Sequence, residues 1–576
     1  LIALPLQRNA WDLGNSVFIE EHFQPFPDQW SFLAGFPRID AKQVHEIAAE
    51  AARSGQILGV KIVDTEEEEE KTPWTRPPSG RHRGGKLNIP LPEKVRAVLA
   101  QRLFFEKELL PSLLVTRLKR LAAFQNPEFY KKQKMRFPTT RIPRVISCFE
   151  EIEGHLALPR GCLPGVKELF QEQGIHFDLD DRRQDGTPQD FEFMGSLAPE
   201  QKKAAMELLG HETGILVSPP GSGKTVVETF LVAARKRNTL ILVHLKPLLE
   251  QWVAQLSLFL GIPAEEIGRI GSGKNKPNGC LDVAMLQSLR RAGVVRDLVA
   301  GYGHVIVDEC HHLGAESYEK ILAECHARFV TGLTATPRRR DGLDPILEMQ
   351  IGPIRHVEEP KAQVKKGGFW CHLLVRDTRF SLPESIAQDP AIQEIYAALA
   401  ADPERNALIL RDIEKALAEK RSPIVLTERR DHLEFFAEKL KTLTPNLIVL
   451  YGGLKTRERK EMLQRLVETP VGEGRIILAT GRFIGEGFDD SRLDTLFLTL
   501  PVSWKGTLVQ YSGRLHRSHE GKTEVRIYDY VDSGVGILRK MFSKRLRGYR
   551  AMGYQMARGP GLFDGISNAV PGNSAP

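Results

Sequence analysis

The sequence predicts an α/β fold: two successive parallel-sheet domains, preceded by a mixed α/β region and a small N-terminal unit. Three observations carry this. Short apolar runs at Ile215–Val217, Leu240–His244 and Val305–Val307 alternate with helical patterns, and the alternation resumes at Ile424–Leu426, Leu447–Leu450, Ile476–Ala479 and Thr495–Leu500. Parallel strands covered on both faces read as continuous apolar runs of this kind. The chain has 576 residues, 41% hydrophobic and 27% charged, which suits several packed domains and excludes a disordered or collagen-like chain. No apolar run approaches the roughly 18–20 residues that span a bilayer. The six cysteines are scattered with no CxxC pair, so a structural zinc site or a secreted disulfide framework is not expected; reduced thiols in a cytoplasmic protein are.

The elements follow in order. Residues 1–63 form a small unit. Its opening Leu1–Leu6 is too short for a secretory leader and reads as a strand; with no initiator Met, the chain is expected to be a fragment. Asp40 can cap a helix carrying Val44, Ile47, Ala48 and Ala51 until Gly55 stops it. Residues 64–92, an acidic run (Glu66–Glu70) followed by prolines, glycines and arginines, cannot build a core and read as a linker. The accessory region, 93–190, is expected to be helix-rich at first, with Leu113, Leu114, Leu118 and Leu121 on one amphipathic stretch, then short strands around Leu158-Pro-Arg-Gly161. Asp180–Pro188 marks the next boundary. The two α/β domains occupy 191–362 and 363–550, and 559–576 reads as a frayed tail of Gly, Pro, Ser and Asn.

Net charge is +7, but it is concentrated. Thr116–Ser147 holds nine Lys/Arg against Glu128 alone, and Ser533–Phe563 holds seven with no acid. Concentrated positive charge suits a polyanionic partner. In the first block Phe124, Phe129, Tyr130 and Phe137 interleave with Lys131, Lys132, Lys134 and Arg136. A merely solvated face mixes signs, so contact with a nucleic-acid backbone is the favoured role.

The strongest chemical signal is Ser218-Pro-Pro-Gly-Ser-Gly-Lys-Thr225, between an apolar strand and a helical run. That context makes it a phosphate-binding loop. Pro220, Gly221, Ser222 and Gly223 shape the loop, Lys224 reaches the β/γ-phosphates, and Thr225 offers its hydroxyl to Mg²⁺. Ser218 replaces the first glycine of the full pattern. Val305-Ile-Val-Asp-Glu-Cys-His-His312 delivers Asp308 for Mg²⁺ and Glu309 to orient and deprotonate the attacking water. His311 couples this site to its surroundings. No metal-ligand spacing surrounds Cys310-His311-His312 or Cys371-His372.

With these motifs in this order, the sequence resembles the superfamily 2 helicases and translocases. Gln201 matches the adenine-reading glutamine, and Leu242–Trp252, with Lys246, resembles the strand end that tracks a nucleic-acid backbone. Leu333-Thr-Ala-Thr-Pro337, with Thr334 and Thr336, resembles the motif linking hydrolysis to movement. Ala479–Asp489 resembles motif V, implying Thr480 on the strand and Gly487 and Asp489 on the nucleotide. Gln510-Tyr-Ser-Gly-Arg-Leu-His-Arg517 fits motif VI, implying that Gln510 belongs to the site and that Arg514 and Arg517 are arginine fingers. The form of motif Ia, the Asp-Glu-Cys-His box, Asp402-Pro-Glu-Arg-Asn406 and Leu158-Pro-Arg-Gly161 are similar to the XPB/UvsW-like DNA helicases. The whole chain looks like the helicase half of bacterial TOTE conflict-system primase–helicase fusions: Leu1-Ile-Ala-Leu-Pro-Leu-Gln7, Gly14-Asn-Ser-Val-Phe18 and Asp28-Gln-Trp30 resemble the close of the primase domain, so that residues 1–63 would be its tail and its catalytic carboxylates would lie upstream of Leu1. The resemblance implies two RecA-like P-loop domains behind an accessory DNA-binding region, ATP and Mg²⁺ between them, DNA across both, 3′-to-5′ movement, and a bacterial cytoplasmic, nucleoid-associated location.

Rivals share these motifs. A double-strand translocase, the motor of a restriction or defence system, or an RNA helicase would carry them; a nucleotide-gated binding module without turnover would not need Lys224, Glu309 and Arg517 together. Pro27-Asp28 with Asp40-Ala-Lys42 matches a nuclease pattern, although Asp40 already serves as a helix cap. Asp178-Leu-Asp180 could hold a metal, but it reads better as a solvated strand end.

Overall fold

The computed structural model describes residues 17–20, 24–35, 40, 42–43, 46, 87, 89–291, 294–311, 316–336, 339, 341–358, 369–383, 390–454, 456–470, 472–481, 490–502, 505–517 and 519–557. The strand expected at Leu1–Leu6, most of the helix after Asp40, the linker through residue 86, His312, Gly487, Asp489 and the tail 559–576 lie outside the described residues. Within the N-terminal part, Asp28 accepts from Trp30 N at 3.1 Å and Ser31 N at 2.9 Å, and Asp40 accepts from Gln43 N at 2.7 Å. Both aspartates of the nuclease pattern therefore act as helix caps.

The accessory region departs from its expected helical start. It opens with strands Lys94–Leu99 and Arg102–Glu106, and its sheet runs in the order Glu150–Ile152, His155–Pro159, Arg102–Glu106, Lys94–Leu99, His176–Asp181. The reason is a period of two in Lys94-Val-Arg-Ala-Val-Leu99: Val95, Ala97 and Leu99 are buried, while the residues between them face solvent. On that outer face Lys94 pairs with Asp178 at 3.0 Å and Arg96 with Asp180 at 3.2 Å, so the two aspartates are partners of surface cations. Helices Ser112–Leu121 and Leu163–Gln173 complete this core with Leu114, Leu118, Val166 and Phe170.

From this core an excursion protrudes on a two-stranded ribbon, Ala123–Gln125 with Val145–Ser147, carrying the helix Pro127–Lys134. Asn126 clasps its base: its N–H donates to Arg144 O and its side-chain amide to Pro143 O, each at 2.9 Å. The accessory region is also fastened to the first motor sheet. Arg160 is buried and donates to Ala327 O at 2.7 Å and to Cys325 O, while Ile346 and Met349 of the helix Asp344–Ile351 enter the accessory core. Asp180–Pro188, expected as a boundary, runs along this sheet: Gln184 N donates to His326 O at 2.7 Å, and Arg328 N to Gln184 O at 2.9 Å.

The first motor sheet has eight strands in the order Lys274–Lys276, Gly268–Gly271, Leu281–Met285, Thr239–Val243, His304–Val307, Phe329–Thr334, Thr213–Val217, Ile354–Val357. All but the edge pairing of Gly268–Gly271 with Lys274–Lys276 is parallel. The second has seven, Asn446–Leu450, Arg475–Thr480, Pro423–Thr427, Thr495–Leu498, Glu524–Val531, Trp370–Asp377, Gln555–Met556, all parallel. Parallel strands put every carboxyl end on one edge, where such sheets bind ligands. The fold class is thus tandem RecA-like α/β domains behind a mixed accessory region. Among the described residues no helix is long and apolar enough to cross a membrane.

Candidate active site

Three strands of the first sheet end at one place. Thr213–Val217 leads into Ser218, whose N–H donates to Thr334 O at 3.0 Å, so the loop and the Thr334-Ala-Thr336 segment start in register. The loop turns through Gly221 and Gly223, at φ 82° and 87°, a region that side-chain-bearing residues avoid. A Cβ at Gly223 would also lie 2.3 Å from Gln201 Nε2. The helix Lys224–Arg235 then begins with its free N–H groups and positive dipole end at the loop, a ready anion site.

Gln201 is held rather than loose. Its side-chain oxygen accepts from Ala198 N at 3.0 Å, and its amide donates to Ser222 O at 2.8 Å, so it reports the position of the loop. Ser218 Oγ donates to the Glu358 carboxylate, at the strand end before residues 359–368, and accepts from Ser222 Oγ at 2.5 Å.

The strand His304–Val307 delivers the acid pair. Asp308 is buried; Trp252 Nε1 donates to its Oδ2 at 2.8 Å and Glu309 N to its Oδ1 at 2.9 Å. Burial, reinforced by the neighbouring Glu309 charge, raises the Asp308 carboxyl above its ordinary range, with Lys224 and Trp252 opposing. Such a carboxylate gains from a cation placed beside it. Glu309 adopts φ 47°, uncommon for a non-glycine residue, and its Oε1 lies 3.4 Å from Lys224 Nζ. Its other oxygen is 3.3 Å from His311 Nδ1, which also lies 3.1 Å from Thr334 Oγ1; Thr336 N donates to that hydroxyl at 3.0 Å. One chain of contacts thus runs Lys224, Glu309, His311, Thr334, Thr336. Arg339 extends it by donating to His311 O.

Among the described residues no group of three His, Cys, Asp or Glu could cage an ion. A cation would be held by nucleotide phosphates together with Thr225 and Asp308, and the buried carboxylate and glycine-cradled loop fit Mg²⁺–ATP.

The second sheet meets this site through the helix Lys505–Gly513, which carries Gln510. A Cβ on Gly513 would stand 3.0 Å from Pro220 Cβ, so the end of this helix abuts the phosphate loop and leaves little room for a side chain. Arg514 and Arg517 leave from that end, half-exposed, while Leu515 and His516 between them are buried.

Comparison with known proteins agrees with this geometry. Residues 194–339 match the family described as Type III restriction enzyme, res subunit, residues 407–519 the Helicase conserved C-terminal domain, and residues 1–47 the TOTE conflict system, Archaeo-Eukaryotic Primase domain. The DNA 3'-5' translocase XPB2 of Sulfurisphaera tokodaii is 28% identical over 60% of this chain and 83% of its own length. A protein of Acanthamoeba polyphaga mimivirus, named as an ATP-dependent RNA helicase, is 24% identical over 64% of this chain and 70% of its own. The crystal structure of T4 UvsW aligns with 80% of this chain and 99% of that one, at 17% identity and a TM-score of 0.37. The chain is a helicase or translocase of the superfamily 2 type, similar to the XPB relatives.

The remaining candidate residues of the helicase are spread over its surface. Lys246 is exposed at the start of the helix Lys246–Leu260, on the carboxyl edge of the first sheet. Thr480 ends the strand Arg475–Thr480, paired in register with Thr427. In the accessory excursion, Lys131, Lys134 and Arg136 are exposed, whereas Lys132 is half-buried and pairs with Glu128 at 2.8 Å. The interleaved aromatics divide: Phe124 and Phe129 are core residues, which corrects their place in a binding face, while Tyr130 and Phe137 are exposed. In the second basic stretch Arg545 is likewise internal, held by Asp529 at 2.7 and 2.8 Å; Arg539, Lys540, Lys544, Arg547 and Arg550 face solvent.

Sequence reasoning missed the roles of Trp252, Glu358 and Arg339. Trp252 sat inside a quoted motif, and only its indole N–H, reaching a residue 56 positions away, shows what it does.

Proposed function

We propose that this helicase is an ATP-driven DNA translocase that unwinds duplexes while moving 3′-to-5′. The observation that carries the reading is the junction of Lys224, Glu309 and the loop at Pro220 with the helix end at Gly513. Lys224 and the loop N–H groups bind the β/γ-phosphates, and Gln201 reads the adenine. Thr225 and Asp308 would hold Mg²⁺, which would supply positive charge against the phosphates. Glu309 orients a water and takes its proton as the water oxygen bonds to the γ-phosphorus and the bond to the β-oxygen breaks, leaving ADP and phosphate. Arg514 and Arg517, with Gln510 beside them, stabilise the charge of that transition state from the second domain, an effect typically worth about 10³–10⁵ in rate. Gly487 and Asp489 complete the nucleotide site. Supplying arginines across the cleft makes hydrolysis depend on domain approach, and the chain from His311 to Thr334 and Thr336 passes the change to the strand-tracking edge.

DNA is the proposed track because the accessory excursion carries exposed cations, Lys131, Lys134 and Arg136 with Lys132 beside them, and Lys246 and Thr480 stand at the carboxyl edges of the two motor sheets. The DNA-named relative supports this; the RNA-named one makes RNA the competing substrate. An upstream primase domain would fit the match at residues 1–47. The test is ATP turnover stimulated by single-stranded DNA, duplex DNA and RNA, followed by strand displacement on duplexes with 3′ or 5′ tails. Stronger stimulation by RNA, or displacement only from 5′ tails, would overturn the reading.

A further inference from the structure

The two proposed arginine fingers lie beyond the end of their helix, where backbone carbonyls lose their helical partners and the chain needs an outside restraint to keep its geometry. Short-range bonds follow the helix end: Arg514 N donates to Tyr511 O at 3.3 Å, Leu515 N to Ser512 O at 2.9 Å and His516 N to Gly513 O at 3.3 Å. The restraint comes from a residue that no motif contains. Lys522 Nζ donates to Arg517 O at 2.9 Å and to Ser491 O at 3.0 Å. Ser491 lies just past the motif V segment, so one ammonium joins the backbone of motif VI to the chain leaving motif V. The same ammonium stands over the Phe369 ring, 5.8 Å from its centroid, and Phe369 stacks on His516 at 6.2 Å. His516 is fixed in turn by the Tyr554 hydroxyl, 2.8 Å from its Nε2. The segment between the two arginines is therefore gripped on its carbonyl side by Lys522 and on its ring side by Phe369 and Tyr554.

We infer that Lys522 is a positioning residue for ATP hydrolysis: its ammonium holds the backbone of Arg517 and Ser491 together, so that the finger and motif V move as one unit. The inference rests on the assignment of Arg517 as a finger. A cation at a helix carboxyl end is ordinarily a stabilising cap. What separates a positioning role from a cap is the second carbonyl, from a different segment.

Burial lowers the Lys522 ammonium to about 8, with Arg421 adding to the fall and Asp494, Asp490 and Cys371 opposing it. Those four groups and the carbonyls of Arg517 and Ser491 are the charged, titratable and polar neighbours facing it from the surrounding strands and loops. The ammonium thus predominates at neutral pH and is lost within the alkaline range.

The experiment uses the full chain with ATP, Mg²⁺ and saturating single-stranded DNA, measuring kcat and KM across pH 6.5–9.5 for wild type, Lys522→Met, Lys522→Arg and Arg517→Ala. Lys522→Met should lower kcat about 10- to 100-fold, the scale of a misplacement of roughly 1 Å, with KM for ATP changed less than about threefold. Lys522→Arg keeps a cation and should restore most of the rate. It should also abolish the alkaline fall in kcat expected of wild type above pH 8. A wild-type kcat in Lys522→Met overturns the proposal while a loss in Arg517→Ala leaves the finger assignment standing. Normal turnover in both variants overturns the assignment itself. If Lys522→Met does not fold, Lys522→Arg decides: an alkaline fall like that of wild type overturns the proposal, and a flat profile supports it.

Discussion

Ser218 Oγ, at the position where the phosphate-loop pattern has a glycine, donates to the carboxylate of Glu358, 140 residues away at the last described position of the first motor sheet. The same hydroxyl is 2.5 Å from Ser222 Oγ inside the loop, and Glu358 N donates to Val217 O at 2.8 Å. The replaced glycine is therefore a tie between the loop and the strand end from which the chain leaves for the second domain.

Removing that tie should cost stability more than nucleotide affinity. Ser218→Gly restores the common loop residue but deletes a partly buried hydrogen bond to a charged group, a loss of up to about 1.5–3 kcal/mol. Glu358→Gln, which keeps an acceptor oxygen, should cost less. Chemical unfolding of both variants checks the order, and titration with a nucleotide analogue should show ATP-site affinity within about threefold of wild type, since neither residue is assigned to the phosphates. Equal stability in all three proteins would mean the contact contributes nothing.

Lys224 and Glu309 lie 3.4 Å apart but should fail differently. Lys224→Ala deletes the point charge at the phosphates and should weaken ATP binding about tenfold or more while ending turnover. Glu309→Gln keeps the side chain's shape and loses the base, so ATP should still bind while hydrolysis falls ~10²-fold or more. Binding of a fluorescent ATP analogue beside steady-state turnover separates the two; equal loss of affinity in both would refute the division of roles.

The cations of the accessory excursion should act as phosphate contacts. Replacing Lys131, Lys132, Lys134 and Arg136 with Gln removes at most four contacts, and Lys132 already shares its charge with Glu128 at 2.8 Å. At ~0.7–0.9 per phosphate, the slope of log K against log salt should flatten by about 2 to 4. DNA-independent turnover should stay unchanged, because none of these residues lies on the motor sheets. Fluorescence anisotropy at four salt concentrations measures the slope, and an unaltered slope would make the block a solvated face.

Glu228 should make stability fall with pH. It sits in the helix Lys224–Arg235, fully buried, and neither carboxyl oxygen has a hydrogen-bond partner among the described residues. Burial pushes its carboxyl up to about 8, with Arg235 opposing and Asp308 reinforcing. The folded chain therefore holds a proton that the unfolded chain releases near pH 4.5. Stability from this group is complete below the unfolded value and is lost as pH rises toward 8. Glu228→Gln, neutral at every pH, should raise stability by ~1–3 kcal/mol at pH 8 and by little at pH 5. Thermal melts at both pH values provide the check, and a pH-independent difference would place the effect elsewhere.

The sequence by itself determined the two parallel-sheet domains and the local chemistry at the ends of their strands. Phosphate-loop glycines, the acid pair after an apolar strand and the Gly-Arg step of motif VI impose their demands within a few residues, through backbone sterics, strand periodicity and helix starts. Such demands are written in adjacent letters. Tertiary structure alone decided which of the interleaved aromatics faced outward. Phe124 went to the accessory core, Phe129 was buried under the Arg144 guanidinium, and Tyr130 and Phe137 went to the surface, because burial depends on what packs above the ribbon. It also turned Lys94–Leu99 from an expected helical start into a strand, its polar positions paid for by Asp178 and Asp180 some 84 residues on. Ser218 with Glu358, Trp252 with Asp308 and Lys522 with Arg517 and Ser491 follow the same logic. Each joins groups whose meeting is set by chain topology and close packing, and no local pattern of residue types encodes that meeting.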